Sequence, residues 1–459
     1  MPSIFRFPTS GPFHYYEMAM ARNARKAYLG HAMSTMSTMS GTGGAPEANA
    51  RVFERWVNGL IGAGHFMSHY YLLALPPLFP LLKAEFGVSY VELGLAMTCY
   101  NLLGGVLQAP VGFLVDRLGP RRVLFAGLAL NAIGVLLMGF ADAYWLLLVL
   151  AVIAGLGNSV FHPADYAILS GSIDPDRLGK AYSAHTFAGF LGGACAPIGI
   201  LAVVQFYDWR TALISAGIVG LVVLALMILK RDVLLGEGAA ADATKPAAAA
   251  EPVASEASGL RLILSAPVLL FLAYFVLYGM AGGGLTAFTV SSLINLHDIG
   301  LDSANGALTG YLFGIVGGIL VGGLVADKFP RHMVTSTVGL GLVALAAAAP
   351  TFMAPPAYVF TIMLAAAGFG MGVILPARDL MIRKIVPPGD SGKIFGFIFV
   401  GYSIGGSLAP LLYGWLLDLA QPAMVFQVSA GFAILALAAV ALASLVSPKS
   451  FGEAAAKSR

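Results

Sequence analysis

The chain has 459 residues, of which 58% are hydrophobic and only 11% are charged, and its mean hydropathy is +0.83. A soluble protein cannot cover that much apolar surface with so little charge, so soluble enzymes and soluble binding domains are excluded. The net charge is +3, and the basic residues form no patch suited to nucleic acid.

The first 55 residues are rich in Ser, Thr and Gly and contain no continuous apolar run. We therefore expect residues 1–55 to form a disordered cytoplasmic tail and not a signal peptide. Two other interpretations stay open: a transit peptide, and a translation start between Met33 and Met39.

A helix needs about 20 apolar residues to cross a bilayer core. By this measure the chain contains twelve candidate spans, and their continuous rather than alternating hydrophobicity excludes a β-barrel. Numbered span 1 to span 12, they lie at 56–82, 90–115, 122–140, 144–172, 180–204, 209–229, 265–292, 303–326, 333–352, 357–382, 392–417 and 423–447. The sequence predicts an all-α integral membrane protein that interacts with the lipid bilayer.

An Ala-rich acidic segment at 230–262 has no face to bury, which predicts a flexible linker. It divides the chain into two six-helix bundles, 56–229 and 263–447, and a short tail follows at 448–459.

The basic residues are sorted by loop. With the N-terminus placed in the cytoplasm, 24 of the 26 Lys and Arg fall on the cytoplasmic side, because only Lys83 and Arg210 fall outside (26 − 2 = 24). This bias predicts a multi-pass protein of the cell (inner) membrane with both termini in the cytoplasm.

The two bundles are internally repeated. Shifted by 213 positions, residues 155–197 align without a gap with 368–410, and 12 of the 43 positions are identical. Six-helix repeats of the same orientation are typical of transporters in which one half rocks against the other around a midplane site.

The segment "GFLVDRLGPRR", residues 112–122, concentrates charge in the loop between spans 2 and 3. It resembles the loop signature of the major facilitator superfamily at every fixed position, and the resemblance implies a twelve-helix fold and a conformational latch. The candidate latch residues here are Gly112, Asp116, Arg117, Arg121 and Arg122. We expect Gly112 to allow close helix approach and Asp116 to bind helix N-termini or arginines. Positive-inside topology alone would also explain the arginines.

A degenerate copy of the signature, "GLVADKFPRH", begins at residue 323, between spans 8 and 9. Pro330 stands where the first copy has Gly119. The candidate latch residues of this copy are Gly323, Asp327, Lys328 and Arg331.

Ionisable and polar side chains inside the spans are candidates for a substrate or proton pathway, because they are costly there. His65 and His69 lie on one face of span 1, and His162 and Asp165 lie on one face of span 4. The other candidates are Asn158 in span 4 and Arg378 and Asp379 in span 10, with Tyr274 and Tyr278 in span 7 possible cavity-lining residues. Packing remains the alternative for each histidine, for the tyrosine pair and for Asn158.

Asp165 aligns with Arg378 at the shift of 213, so opposite charges occupy pseudo-equivalent positions in spans 4 and 10. One hypothesis is that the two side chains approach each other when the inner side closes, forming a gate between the halves. The alternative is that each is satisfied within its own half, with Arg378 paired to Asp379.

Within the superfamily, "GHFMSH", "LPPLFPLLKAEFGVS" and "SVFHP" resemble the fosmidomycin-resistance type of exporter. Two departures are His69, where that group carries an acid, and Asp165, which is displaced by one position. The resemblance implies a secondary transporter working by alternating access, with protons as the coupling ion and a small, often anionic, drug-like compound as the exported substrate. Uptake or exchange of an organic anion such as a carboxylate is one alternative, and a transporter-like sensor or assembly factor is another.

The sequence contains no Walker loop and no metal-ligand cluster, and Cys99 and Cys195 stand alone in separate spans. We therefore expect no enzyme activity, no cofactor and no metal, and we expect the protein to be a monomer.

Overall fold

A computed structural model of the protein describes residues 46–234, 263–385 and 391–446. The expected tail up to residue 45, most of the linker and the C-terminal tail lie outside the described residues. The described chain is almost entirely helical, because a backbone that crosses lipid must satisfy its own hydrogen bonds.

The first half contains six spans. Their helices are Pro46–Leu72, Pro76–Leu78 and Phe79–Phe86 (span 1), Tyr90–Val106 and Gln108–Leu118 (span 2), Pro120–Met138 (span 3), Tyr144–Asn158 and Phe161–Ser172 (span 4), Pro175–Val204 (span 5) and Trp209–Leu229 (span 6). Span 1 begins ten residues before the sequence-based boundary, so residues 46–55 of the expected tail are helical.

The second half contains six further spans. Their helices are Ala266–His297 (span 7), Leu301–Lys328 (span 8), His332–Ala348 (span 9), Ala357–Ile385 (span 10), Ser391–Asp418 (span 11) and Pro422–Val446 (span 12).

Among the described residues, ten helices are long and apolar enough to span a bilayer, or eleven when the bent helix pair of span 2 is counted as one. Span 1 stands outside that set, since its histidines and charged residues lower its hydropathy although its first helix has 27 residues. Many large apolar side chains, such as Phe113, Leu345 and Leu445, are more than two-thirds exposed, as expected for a surface that faces lipid.

Two spans are broken a few residues before a proline, which is the cause of each break. The two helices of span 2 meet at an angle of 51°, where Pro110 lacks the N–H that would bond to the carbonyl of Val106. Span 4 is interrupted after Asn158, where Pro163 removes the equivalent bond to Ser159.

The packing of the helices repeats between the halves. Spans 1 and 5 pack together as spans 7 and 11 do, and spans 2 and 4 pack as spans 8 and 10 do. Spans 3 and 6 likewise correspond to spans 9 and 12. This correspondence confirms the sequence-based prediction of two pseudo-symmetric six-helix bundles.

The two halves meet chiefly through spans 2 and 11 and through spans 5 and 8. Six hydrogen bonds between described residues join the halves in the part of the molecule from the middle of these spans to the end that carries the loops after spans 1, 7 and 11. They join Tyr90 and Val91 to Asp418, Asn295 to Tyr90, Asn305 to Pro77, Thr98 to Ser407, and Asn101 to Gly406. The described structure is therefore closed at that end, which is opposite to the loop of Asp116.

Candidate functional site

A buried carboxylate in span 4 is bound by two histidines from neighbouring spans. Nε2 of His185 in span 5 is hydrogen-bonded to Oδ2 of Asp165 at 2.9 Å. Nδ1 of His65 in span 1 lies 3.7 Å from the same oxygen. The two imidazole rings stack with 3.8 Å between their centroids. All three side chains are at most 3% exposed, so the carboxylate is buried inside the first half.

Two further histidines extend this group. The ring of His69 lies 4.7 Å from that of His65 in an edge-to-face arrangement. The ring of His162 lies 5.1 Å from that of His65 and stacks with Tyr166 at 5.8 Å. We call His65, His69, His162, Asp165 and His185 the histidine cluster.

The histidine cluster retains unused hydrogen-bonding capacity. Among its buried atoms, Oδ1 of Asp165, Nδ1 of His162 and Nδ1 of His185 have no partner in the described part of the chain. Leaving a buried polar atom unpaired is costly. Because imidazole and carboxylate groups in contact titrate as a unit, the cluster can hold or release a proton collectively.

His185 is the histidine that sequence reasoning ranked below the others. It lies 20 positions after Asp165, in another span, and no local spacing links the two. Its only signal in the sequence is the presence of a histidine inside an apolar span, which by itself marks a candidate. The structure makes it the closest partner of Asp165.

Asn158 does not share in these contacts. A Cβ at Gly104 of span 2 would lie 2.9 Å from the side-chain nitrogen of Asn158, so the amide packs directly against that helix. This contact supports the helix-packing alternative for Asn158.

In the second half, the corresponding position carries a buried cation. The Arg378 side chain is 6% exposed, and its Nε donates to Oδ1 of Asp379 at 3.0 Å. The central carbon of the guanidinium lies 4.4 Å from the ring centroid of Phe275, 5.3 Å from that of Phe399 and 5.8 Å from that of Tyr278. Aromatic faces stabilise a cation in this way while leaving its hydrogen-bond donors free.

The terminal nitrogens of Arg378 have no acceptor among the described residues, since its hydrogen bond to Asp379 uses Nε alone. This leaves the two-pronged edge that matches a carboxylate or phosphonate. Asp379 is 44% exposed at its side chain, so the pair reaches the edge of the packed region.

Tyr274 and Tyr278 are buried, at 0% and 4% exposure, so in this conformation they do not line open space. Tyr278 is buried because its hydroxyl donates to the carbonyl of Met371 at 2.9 Å, which fixes the ring inside the second half. The hydroxyl of Tyr274 is buried without a partner among the described residues.

Asp165 and Arg378 each bind within their own half in this conformation. The carboxylate contacts His65 and His185, and the guanidinium contacts Asp379. The gate hypothesis concerns a state closed at the other end and stays a prediction.

In the loop signature Asp116 is disengaged, whereas Arg121 and Arg122 both make interactions. Asp116 is exposed, and within the described ranges its carboxylate has neither a hydrogen bond nor an ion pair. Arg121 donates to the backbone carbonyls of Arg231 and Leu234 at the end of span 6, at 3.1 and 3.5 Å. The close approach expected at Gly112 is absent here, because a Cβ at that position would meet nothing within 4 Å.

The degenerate copy is equally open. A Cβ at Gly323 would also meet nothing within 4 Å. The side chains of Asp327, Lys328 and Arg331 are exposed. Both loop copies lie at the end of the molecule opposite to the hydrogen bonds that join Tyr90 to Asp418 and Asn295.

The donor atoms of His65, Asp165 and His185 lie within 4.8 Å of one another, a spacing that metal ligands also adopt. Here Nε2 of His185 and Oδ2 of Asp165 are hydrogen-bonded to each other at 2.9 Å. Because the spacing of the three donors would also suit an ion, the expectation of no metal stays a prediction from the sequence.

The chain matches the family model described as Major Facilitator Superfamily over residues 61–319 and 289–458. It is similar to the fosmidomycin resistance protein of Escherichia coli K12, with 23% identity over 389 residues that make up 84% of this chain and 92% of the relative. It is also similar to the multidrug resistance protein MdtH of Salmonella newport SL254, with 25% identity over 363 residues, 75% of this chain and 84% of the relative.

Among solved structures, the chain is similar to a bacterial homologue of the human lysosomal transporter Spinster in an inward-facing, unoccupied conformation. The TM-score is 0.70 at 15% sequence identity, and the match covers 86% of this chain and 97% of that chain. At this level of identity the likeness describes the fold.

Proposed function

The chain belongs to the major facilitator superfamily, and we propose from this premise that it exports a small organic anion in exchange for protons. Members of the family are multi-pass membrane transporters of small molecules, so the protein is a transporter and not an enzyme. Its mechanism is alternating access, in which the two bundles rock around a site between them.

The orientation that we propose follows the basic residues. The end that carries Asp116 and most of the Lys and Arg faces the cytoplasm, as do both termini. The closed end then faces outward, and we infer that the described state is the one that gives access from the cytoplasm. In this scheme the protein is a monomer of the inner membrane, with bundles at 56–229 and 263–447 joined by a cytoplasmic linker.

Proton coupling is supported above all by one observation, the buried Asp165 carboxylate shared by His185 at 2.9 Å and His65 at 3.7 Å. Burying a carboxylate with an unpaired oxygen costs free energy, and an ionisable group retained inside the membrane at such a cost is a candidate for function. We infer that the histidine cluster accepts a proton in one conformation and releases it in the other. His69 and His162 extend the proton pathway, and Asn158 serves as packing beside it.

The anionic substrate is supported by the free edge of Arg378 and by the name of the Escherichia coli relative. The guanidinium is buried among aromatic rings that can also hold an apolar body of the substrate. We infer that the oxyanion of the substrate binds the terminal nitrogens of Arg378, close to Asp379.

The gate between the halves is a second role for the same pair. We propose that Asp165 and Arg378 approach each other when the cytoplasmic end closes, which would expel the substrate from Arg378. Cysteines at these two positions should cross-link only in the state that is open outward. A cross-link yield that stays at background in both states contradicts the gate and leaves the anion site intact.

Transport is tested directly with purified protein in liposomes, with fosmidomycin as the probe. An imposed pH gradient should drive fosmidomycin against its concentration gradient, and a protonophore should abolish that accumulation. His297→Gln is a matched control, since this histidine lies outside the histidine cluster and bonds to the carbonyl of Pro350 at 2.8 Å.

Uptake or exchange of a carboxylate is the second candidate, and the same free edge of Arg378 favours it. Counterflow with a panel of carboxylates, at equal pH on both sides, separates this candidate from proton-driven export. Binding without any flux under either condition would favour a sensor or assembly factor.

A further inference from the structure

A carboxylate of one half caps a helix of the other half. Asp418 is the last residue of span 11, and Tyr90 is the first residue of span 2. Oδ1 of Asp418 accepts the backbone N–H of Tyr90 at 2.8 Å, and Oδ2 accepts that of Val91 at 2.9 Å. Each carboxylate oxygen therefore takes one of the first two amide hydrogens of span 2.

These amides are among the donors that no helix can satisfy internally. The next one, of Glu92, is satisfied within its own half by the Ser89 hydroxyl at 3.1 Å. Span 2 thus has a local cap for its third amide and a cap from the opposite half for the first two. A negative charge at this position also interacts favourably with the helix dipole.

The surroundings tie Tyr90 to both halves as well. Nζ of Lys83 lies 4.4 Å from the Tyr90 ring centroid and 3.9 Å from Oδ1 of Asp418. From span 7, the Asn295 side-chain amide donates to the Tyr90 hydroxyl at 2.9 Å. These interacting groups all lie at the closed end of the molecule.

Close backbone packing between spans 2 and 11 means that the bonds from Asp418 to span 2 are either fully made or fully broken. A Cβ at Gly414 of span 11 would lie 2.6 Å from the carbonyl oxygen of Tyr90, and a Cβ at Gly94 would collide with the carbonyl of Pro410. Helices in such close approach cannot slide while remaining packed. The amides of Tyr90 and Val91 are therefore either capped by Asp418 or exposed to water.

We propose that Asp418 is the latch of the outer end, a carboxylate that stabilises the state open to the cytoplasm by capping span 2 across the two halves. The latch breaks and re-forms once in each transport cycle. Asp116 at the other end is disengaged in this state, as expected if the two ends are latched alternately. The proposal rests on alternating access and adds the residue that holds one of its two states.

A buried serine provides the reporter. Ser291 of span 7 is 0% exposed and lies on the same helical face as Phe288 and Asn295, which contact Tyr90. In a protein whose Cys99 and Cys195 are replaced by serine, Ser291→Cys should react slowly with a polar maleimide in lipid nanodiscs. When the end that carries Asp418 opens, position 291 becomes accessible. In a nanodisc the maleimide reaches both sides of the protein, so the orientation of the protein does not matter.

Asp418→Ala should raise the maleimide labelling rate at position 291 about tenfold, which corresponds to about 1.4 kcal/mol. The loss of two hydrogen bonds to a charged acceptor accounts for a change of this size. Asp418→Asn should fall between the alanine variant and the unchanged residue, because an amide oxygen accepts without the charge. Asp418→Glu, which retains the charge, should recover part of the protection.

Asp208→Asn is the matched control. Asp208 also caps a helix, with Oδ1 accepting the N–H of Thr211 at 2.7 Å, but it does so inside one half. The substitution Asp208→Asn should therefore leave the labelling rate at position 291 unchanged. Equal labelling rates for Asp418→Ala, Asp418→Asn and the unchanged protein would overturn the latch. The labelling rate does not depend on transport of fosmidomycin, so the latch is tested independently of the proposed substrate.

Discussion

Nε2 of His185 and Oδ2 of Asp165 are 2.9 Å apart, and neither side chain is more than 1% exposed. This contact joins spans 4 and 5 at a point where both would otherwise present unpaired polar atoms to the interior. It is supplemented by His65 of span 1 at 3.7 Å, so three helices of one half converge on one carboxylate. A proton added to or removed from this group changes the charge that all three helices enclose.

The first prediction concerns Asp165→Asn. An amide has nearly the shape of the carboxylate but exchanges no proton, so accumulation of fosmidomycin driven by a pH gradient should fall at least about tenfold, or about 1.4 kcal/mol. Counterflow at equal pH should persist, because it requires no net proton movement. Both are measured in the same liposomes, with His297→Gln as the control that should retain both activities.

A loss of counterflow together with driven transport would contradict a purely coupling role for Asp165. It would instead indicate that the carboxylate holds the bundle together. Thermal unfolding of the variant distinguishes these outcomes, since a structural role lowers the unfolding temperature and a coupling role does not.

The second prediction ranks the histidines. His185→Gln should reduce driven transport more than His69→Gln, because His185 is bonded to Asp165 whereas His69 reaches it only through the ring of His65. Glutamine retains a donor of similar reach, so a loss reports the missing titratable ring and not an unpaired carboxylate. The measurement is the initial rate of accumulation as a function of external pH. Equal effects of the two substitutions would contradict the ranking.

The third prediction concerns Arg378→Lys. Lysine keeps the charge but not the two-pronged edge, so the KM for an oxyanion substrate should rise about tenfold or more while the maximal rate changes less. Asp379→Asn is the paired control. It removes the negative charge that competes with the substrate, while its amide oxygen can still accept from Nε, so it should lower the KM or leave it unchanged. An unaltered KM for Arg378→Lys would exclude Arg378 from the anion site.

The fold was largely predictable because long apolar runs can be satisfied only as helices in lipid. The repeat at a shift of 213 also indicated two equivalent halves, in which Pro163 and Pro376 occupy equivalent positions. The helical start at Pro46 was not predicted, since residues 46–55 carry several charges and show no apolar run.

The site was predictable only where its residues lie close together in sequence. His162 and Asp165 share a helical face through their spacing, whereas the partner of Asp165 comes from span 5 and depends on how two helices are registered. For Tyr278 the sequence left cavity lining and packing as alternatives, and the structure shows its hydroxyl bound to the carbonyl of Met371 in another span. No pattern in one sequence specifies such a contact, because it is a property of tertiary packing.

The fourth prediction concerns Asp116→Asn in the loop signature. Because Asp116 has no partner within the described residues of this state, the substitution removes no contact from it and should leave its thermal stability unchanged. The state that is open outward should lose a charged contact, so its population should fall by about tenfold if a bond to a charged group is involved. Maleimide labelling at Ser291→Cys should therefore become slower, the opposite of the change expected for Asp418→Ala. Combining the two substitutions should bring labelling back toward the rate of the unchanged protein, because each removes a latch from a different end. Faster labelling in Asp116→Asn alone would mean that this aspartate stabilises the state described here, in conflict with its lack of partners.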